Sequence, residues 1–179
     1  MHTEHDIPLI AFIRSGGQTG ADRGALDAAR AAGVPLCGWV PAGGLAEDYP
    51  DPPGLLADYP ELVESGRGDV AGYIERTELN VRDSHATLIV NPAGDQRRQL
   101  QGGTAMTADF ADAYGRPLIV VTGWDKELIA PRLCSSLSGV GRGLTLNVAG
   151  PRASKNADAY RLTYELITEL LQLNGHSGA

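Results

Sequence analysis

The chain has 179 residues, of which 42% are hydrophobic and 21% charged, and it carries a formal net charge of −7 with an isoelectric point near 5.0. Values of this kind exclude a disordered or fibrous chain and fit one globular domain. The acidic balance also argues against a nucleic-acid-binding protein, which usually has a basic stripe, so any anionic ligand must be held locally.

Cysteine usage and the N-terminal sequence limit the class of protein further. Cys37 and Cys134 lie far apart and the four histidines do not cluster with them, so neither a disulfide framework nor a metal site is predicted. The apolar run LIAFI is too short to cross a bilayer or to serve as a signal sequence. We therefore expect a cytoplasmic protein of one domain, 1–179, with flexible ends at 1–7 and 174–179 and no membrane contact.

The first predicted unit is a strand, a glycine-rich loop and a helix. The unbroken apolar run 8–14 is typical of a strand buried on both faces, and 21–32 has the composition of a helix that ends at Gly33. The loop between them, SGGQTGAD, matches neither the dinucleotide nor the Walker fingerprint. Its amides and side-chain donors at a helix N-terminus favour phosphate or nucleotide binding over a turn packed closely by glycine. Its predicted ligand-binding residues are Ser15, Gly16, Gly17, Gln18, Thr19 and Gly20.

Acidic residues near this loop have more than one interpretation. Asp22, in the first turn of the helix, could orient a ligand hydroxyl or face the positive end of the helix dipole. The apolar run 35–40 predicts a second strand, and the proline-rich segment 41–60 predicts a long functional loop. In that loop Glu47 and Asp48 could bind a metal or a sugar or act as a base, although a solvated acidic loop is the more common case.

The next unit is a helix predicted over 71–84, followed by a β-branched strand over 86–91. Two i, i+4 pairs predict a salt-bridged helix face: Arg76 with Asn80 and Glu78 with Arg82. Asn80 lies among apolar neighbours and could instead face the ligand edge of the sheet.

A second loop with paired glycines opens a helix predicted over 105–114, which is followed by a strand over 117–122. Two such loops would place two sets of free amides along one sheet edge, which favours a phosphate-bearing ligand over glycine used only for packing. The residues of this loop predicted to bind are Gly102, Gly103 and Thr104.

The last unit is a helix over 125–138 that is weakened by Pro131, a strand over 144–150 and a helix over 157–173. The loop after the strand, AGPRASK, has two interpretations. It carries an arginine guanidinium, a serine hydroxyl and a lysine ammonium group to the carboxyl edge of the sheet, where ligands bind, or it is an ordinary solvated loop. The residues predicted to bind here are Asn147, Gly150, Pro151, Arg152, Ser154 and Lys155.

Five strands that alternate with helices predict the α/β class, as a Rossmann-like open, mostly parallel sheet of five or more strands with helices on both faces. Ligands of such sheets bind outside the carboxyl ends of the strands, where the strand order reverses. The sequence shows no pattern of a nucleophile, a base and a residue that orients the base, as in a catalytic triad. We therefore predict no catalytic residue.

Five motifs carry a resemblance to a known family: SGGQTGADRGALDAA, GWVPAGGLAEDYP, RTELNVRDSHATLIV, GGTAMT and LNVAGPRASK. Together they resemble the putative molybdenum carrier family, the circularly permuted YpsA branch of the SLOG superfamily, over most of 9–171. The resemblance implies a Rossmann-like fold, a homo-oligomer (dimer or tetramer) and binding of the molybdenum cofactor (molybdopterin) or a similar phosphate-bearing, nucleotide-like ligand, with molybdoenzymes as candidate partners. By position it also implies binding roles for Arg76, Thr77, Asn80 and Arg82.

The chain departs from that family at two places. A basic pair is common in the loop after the second strand, where this chain has the uncharged run 41–45, and Tyr49 stands where glycine is usual. We expect a carrier rather than an enzyme. The alternatives are a nucleotide-processing enzyme of the phosphoribohydrolase type, disfavoured because GGTAMTAD offers Asp109 but no glutamate, and a nucleotide-sensing module for a partner protein.

Overall fold

The computed structural model describes residues 7–92, 100–123 and 125–175. The strands along these residues are β1 (Ile10–Arg14), β2 (Leu36–Cys37), β3 (Trp39–Val40), β4 (Val63–Glu64), β5 (Ala86–Val90), β6 (Leu118–Val121) and β7 (Leu144–Ala149). The helices are α1 (Ala21–Ala31), α2 (Val70–Arg82), α3 (Gly102–Ala113), α4 (Lys126–Ser138) and α5 (Ala159–Gln172).

The main sheet consists of five parallel strands in the order β2-β1-β7-β5-β6. In an ordinary Rossmann sheet the order begins 3-2-1-4-5, so that the first strand of the chain is central. Here that central position belongs to β7, the last strand of the described chain, which lies between β1 and β5. The sheet therefore has the Rossmann order with its first strand moved to the C-terminal end, and its order reverses beside β7.

The helices form two groups, as a sheet covered on both faces requires. Helix α1 packs on α5 and α5 on α4, whereas α2 packs on α3. Strand β5, which lies beside the central β7, is buried at every position. Leu26, Leu146 and Ile167, from α1, β7 and α5, lie fully buried in one core. The predicted α/β, Rossmann-like fold is confirmed.

The predicted second strand, 35–40, is instead two short strands. β2 joins the main sheet, whereas β3 pairs with β4 in a separate two-stranded sheet. Gly38 separates them where the chain crosses Ser15 so closely that an added Cβ would lie 1.8 Å from the Ser15 carbonyl oxygen. The segment 41–60, predicted as a loop, contains two short 3-10 segments, Ala42–Gly44 and Gly54–Ala57. The remaining predicted elements are present with their ends shifted by three residues at most.

The long segment before β4 is tied to α1 through tyrosines. The hydroxyls of Tyr59 and of Tyr160 on α5 both donate to the carboxylate of Asp27 on α1. The guanidinium groups of Arg23 and Arg30 lie over the Tyr59 ring at 5.4 and 4.3 Å from its centre. Ring stacking and charge-assisted hydrogen bonds therefore join three elements at one carboxylate.

We expect this tyrosine cluster to make the free energy of unfolding fall as the pH becomes alkaline. Burial, then the hydrogen bond to Asp27, raises the pKa of Tyr160 to about 12. The pKa of the Tyr160 hydroxyl is thus higher in the folded chain than in the unfolded chain, where it is about 10. The hydroxyl therefore stabilises the fold fully below pH 10, and this stabilisation is lost as pH rises through the folded-state pKa. Urea unfolding across this range should show a smaller loss for Tyr160→Phe than for the native chain; parallel curves for the two proteins would show that Tyr160 makes no such contribution.

The C-terminal end of the described part of the chain is bonded to β1. The amide side chain of Asn174 is buried, accepts a hydrogen bond from the Ile10 N–H at 2.6 Å and donates to its carbonyl at 2.8 Å. Asn174, the first residue of the end predicted to be flexible, is thus fixed to β1, whereas 1–6 and 176–179 lie outside the described residues. No helix in the described part of the chain has the length and apolar character that crossing a membrane needs.

Candidate functional site

A cleft of about 800 Å³ opens at the carboxyl ends of β1, β7 and β5, where the strand order reverses. This is the position at which open α/β sheets bind ligands, and the volume suits a small organic ligand. The polar residues that line it come from the loops after β1, β5 and β7 and from α1, α2 and α3: Gln18, Asp22, Arg76, Thr77, Asn91, Gln101, Thr104, Thr107, Arg152, Lys155 and Asn156.

One wall of the cleft is the N-terminus of α3. Gln101 is the N-cap residue, and its side chain does not bond to the first turn of the helix. A Cβ added at Gly102 or Gly103 would meet no atom within 4 Å, and neither backbone N–H donates to an acceptor among the described residues. Free amides and the helix dipole together favour an anion at this wall.

A second wall is the loop after β7, which brings Arg152 and Lys155 to the cleft. Neither side chain lies within 4 Å of a carboxylate in the described part of the chain. The loop is held on the start of α1, since the Ala21 N–H donates to the Pro151 carbonyl at 3.1 Å. Gly20 makes this approach feasible, because its added Cβ would lie 2.4 Å from that carbonyl oxygen.

The floor of the cleft is an ion pair between α1 and α2. Nη1 of Arg76 donates to Oδ2 of Asp22 at 3.2 Å, and both side chains are largely buried. The guanidinium lies over Gly16, where an added Cβ would be 1.7 Å from Nη1. Burial raises the pKa of Asp22 although the neighbouring Arg76 acts to lower it. The first glycine of the loop thus makes room for an arginine from another helix.

The other polar groups of the SGGQTGAD loop bond mainly within the protein. The Ser15 hydroxyl donates to the Val148 carbonyl at 2.7 Å, and the Gln18 side-chain oxygen accepts from the N–H groups of Thr19 and Glu47. The Thr19 hydroxyl donates to Glu47 and accepts from the Ala153 N–H. Most of the loop's donors therefore hold neighbouring loops in place rather than face the cleft.

The structure brings about half of the predicted site residues to the cleft. Those that line it are Gln18, Arg76, Thr77, Gly102, Gly103, Thr104, Gly150, Pro151, Arg152 and Lys155. Those that do not are Ser15, Gly16, Gly17, Thr19, Gly20, Asn80, Arg82, Asn147 and Ser154. Several of the second group support the cleft from behind, as Gly16 and Gly20 do.

The predicted i, i+4 pairs on α2 do not form. Arg82 pairs with its neighbour Asp83 at 2.6 Å, and Glu78 accepts a hydrogen bond from Tyr114 of α3. Arg76 reaches Asp22 instead of Asn80. Other partners, which are Asp22 and Tyr114 from elsewhere in the fold and Asp83 next to Arg82, displace these pairs because i, i+4 pairs contribute only a few tenths of a kcal/mol, about 0.2–0.5.

Asn80 has a structural role in this fold. Its side-chain oxygen accepts from the Trp39 N–H at 2.8 Å, and its nitrogen donates to the Trp39 carbonyl at 2.9 Å. It therefore anchors β3 to α2. We expect Asn80→Ala to lower the free energy of unfolding by about 2–3 kcal/mol, because two backbone groups lose partners, with ligand affinity unchanged. Urea unfolding and a binding titration measure both; lost affinity in a variant of full stability would show instead that Asn80 contacts the ligand.

Glu47 and Asp48 also have bonded partners. The hydroxyls of Ser154 and Thr19 lower the pKa of the Glu47 carboxyl. The carboxylate of Asp48 accepts hydrogen bonds from both Nη1 and Nη2 of Arg23, at 3.0 and 3.1 Å. Neither residue lines the cleft. Glu47 joins the 41–60 segment to Ser154 and to Thr19 in the loop before α1, and Asp48 joins it to Arg23 in the first turn of α1. In the described part of the chain no group of three or more His, Cys, Asp or Glu residues is placed to hold a metal ion.

Four polar cleft residues were missed by the interpretation of the sequence: Asn91, Gln101, Thr107 and Asn156. Asn91 directly follows β5, so the rule that ligands bind at carboxyl strand ends could have identified it. Thr107 lies one turn into α3, where its hydroxyl donates to the Gly103 carbonyl at 2.9 Å. No sequence motif marks a residue of that kind.

Fold and cleft define a class of protein: a Rossmann-like domain with a cleft where the strand order of a circularly permuted sheet reverses. Within that class, the chain belongs to the circularly permutated YpsA SLOG family, whose family model matches residues 13–171. It is similar to a crystal structure at 1.45 Å of a protein from Syntrophus aciditrophicus SB described as a "Putative molybdenum carrier protein". The two share 38% identity with a TM-score of 0.80, over 94% of this chain and 99% of the other. No curated protein matches the chain.

Proposed function

We propose that the protein binds a phosphate-bearing, nucleotide-like ligand in the cleft and carries it. The observation that supports this best is the convergence of positive potential in an acidic chain. The free amides of Gly102 and Gly103 face the same cleft as Arg152 and Lys155, and the net charge of the chain is −7. Proteins hold phosphate with arginine guanidinium groups, lysine ammonium groups and the backbone N–H groups at helix N-termini.

The molybdenum cofactor, a pterin that carries a phosphate, is the ligand that we favour. The similar solved protein is described as a molybdenum carrier, and the residues present fit the phosphate-bearing part of the cofactor. Gly102, Gly103, Arg152 and Lys155 would hold the phosphate, and the side-chain amides of the cleft would hold the ring. When bound, the cofactor supplies the metal centre, and this chain binds and orients it. We place this carrier in the cytoplasm, as a dimer or tetramer that delivers its cargo to molybdoenzymes.

The test is equilibrium binding of the isolated cofactor to the purified protein without oxygen. Bound material is separated on a desalting column and oxidised, and the fluorescence of the oxidised pterin is counted against protein. We expect about one pterin per chain at micromolar cofactor, with excess inorganic pyrophosphate lowering the yield by competition for the phosphate wall. Absence of pterin at that concentration would contradict the choice of ligand.

A second candidate function is an enzyme that releases the base from a nucleoside monophosphate. The observation that favours it is Asp22, a buried carboxyl group of raised pKa that lines the cleft beside Arg76. Groups of this kind are enriched among catalytic acids and bases. Incubation with a panel of nucleoside monophosphates, followed by chromatography of the free bases, separates the two functions, because a carrier leaves every nucleotide intact.

A further inference from the structure

The cleft has an electrically positive mouth and a neutral floor. Arg152, Lys155 and the amides of α3 supply positive potential at the mouth, whereas Asp22 and Arg76 form a paired floor with no net charge. A phosphate at the floor would lie beside a carboxylate that is already desolvated, and like charges repel strongly where water is excluded. The phosphate is thus favoured at the mouth, which directs the uncharged part of the ligand inward.

The two carboxylate oxygens of Asp22 differ in their bonding. Oδ2 accepts from the Gln18 N–H at 3.3 Å and from Nη1 of Arg76 at 3.2 Å. Oδ1 accepts no hydrogen bond from the residues that the structure describes. The side chain is 5% exposed and lines the cleft, and it is fixed by those two donors. A fixed carboxylate oxygen with unused acceptor capacity selects a ligand donor, an N–H or O–H group.

We propose that Asp22 determines ligand specificity by accepting, at Oδ1, a hydrogen bond from the ring of the ligand, with Arg76 offering donors beside it. A ring edge with an N–H next to a carbonyl is complementary to such an acceptor and donor pair, and both pterins and guanine have that edge. The ligand therefore lies with its ring inward and its phosphate at the mouth. This orientation holds only if the cleft binds a phosphate-bearing ligand, as proposed above.

Calorimetric titration with three probes tests the orientation. Guanosine 5′-monophosphate and neopterin 3′-phosphate carry both the ring edge and a phosphate, whereas ribose 5-phosphate has no ring. Asp22→Asn should weaken the two ring probes by about tenfold or more, the loss typical of a hydrogen bond to a charged group, and change ribose 5-phosphate by less than about twofold. Lys155→Gln should weaken all three probes. Binding of only one ring probe to the native protein would support the proposal and identify the source of the ring.

Two outcomes would overturn this role of Asp22 and leave the proposed function of the protein in place. Equal weakening of all three probes by Asp22→Asn would mean that Asp22 only positions Arg76 for phosphate, and unchanged affinities would mean that it touches no ligand. A native protein that binds none of the probes or the cofactor would overturn the proposed function as well.

A measurement on the unaltered chain covers the case in which Asp22→Asn does not fold. In protein labelled with ¹³C at aspartate carboxyl groups, the Asp22 signal should move when either ring probe that binds is added and stay in place with ribose 5-phosphate. A signal that responds to ribose 5-phosphate as strongly as to the ring probes would contradict the ring-inward orientation.

Discussion

Replacing Arg152 and Lys155 together by alanine is expected to weaken binding of a phosphate-bearing ligand by about a hundredfold, with stability unchanged. Both side chains line the cleft, and neither is within 4 Å of a carboxylate in the described part of the chain, so no internal partner is stranded by their removal. Each charge-assisted hydrogen bond to phosphate contributes about 1.5 kcal/mol or more, and two of them account for about two powers of ten in the dissociation constant.

The matched control removes one lysine and one arginine at a site away from the cleft. Lys126 and Arg161 both contact Glu165 on the exposed surface of α4 and α5, and neither lines the cleft. The double variant Lys126→Ala/Arg161→Ala changes net charge equally and should bind the ligand like the native chain. If both double variants lose affinity to the same extent, the effect comes from overall charge and the cleft is not the anion site.

Gly20→Ala is expected to lower the free energy of unfolding by about 3 kcal/mol or more and to weaken ligand binding. Gly20 has a φ of 81° and a ψ of −129°, a region of the backbone map that is open almost only to glycine and costs an L-residue about 1–3 kcal/mol. Its added Cβ would also lie 2.4 Å from the Pro151 carbonyl oxygen and 2.8 Å from the Ala153 nitrogen, both backbone atoms. The β7–α5 loop must move away, and it carries Arg152 and Lys155 with it.

Gly33→Ala measures the cost of a positive φ without a close contact. Gly33 also has a positive φ, 68°, but an added Cβ there would meet nothing within 4 Å. It should therefore cost only the conformational strain, about 1–2 kcal/mol, and leave binding unchanged. Urea unfolding of both variants gives the comparison; equal losses would mean that neither the ψ of Gly20 nor its loop contact adds to the cost of a positive φ.

Local sequence patterns predicted most of the fold. The apolar run 8–14 identified β1, the β-branched run 86–91 identified β5, and the glycine after α1 marked the end of that helix. The predicted burial of β1 on both faces is wrong, because Phe12 is 42% exposed. The division of 35–40 into β2 and β3 was not predictable, because it depends on the close crossing of Gly38 over Ser15 and on pairing with Val63. The central place of β7 is likewise a long-range property, since periodicity gives the type of an element but not its neighbours.

The candidate site was predicted in part, for a related reason. The loops after β1, β5 and β7 do converge, as the rule for carboxyl strand ends implies. The sequence could not show that Gly16 accommodates Arg76 or that the Thr19 and Gln18 side chains hold neighbouring loops. Glycine signals a close approach but does not identify the approaching group, which here is Arg76 of α2, a helix far along the chain.

Native mass spectrometry of the protein purified from cells supplied with molybdate is the sharpest test of ligand carriage, because it reports retained ligand and subunit number together. We expect one phosphate-bearing pterin or nucleotide per chain in the native protein, lost from Arg152→Ala/Lys155→Ala and kept by Lys126→Ala/Arg161→Ala. A native protein that carries no such ligand, and takes up none when the cofactor is added at micromolar concentration, would contradict this expectation.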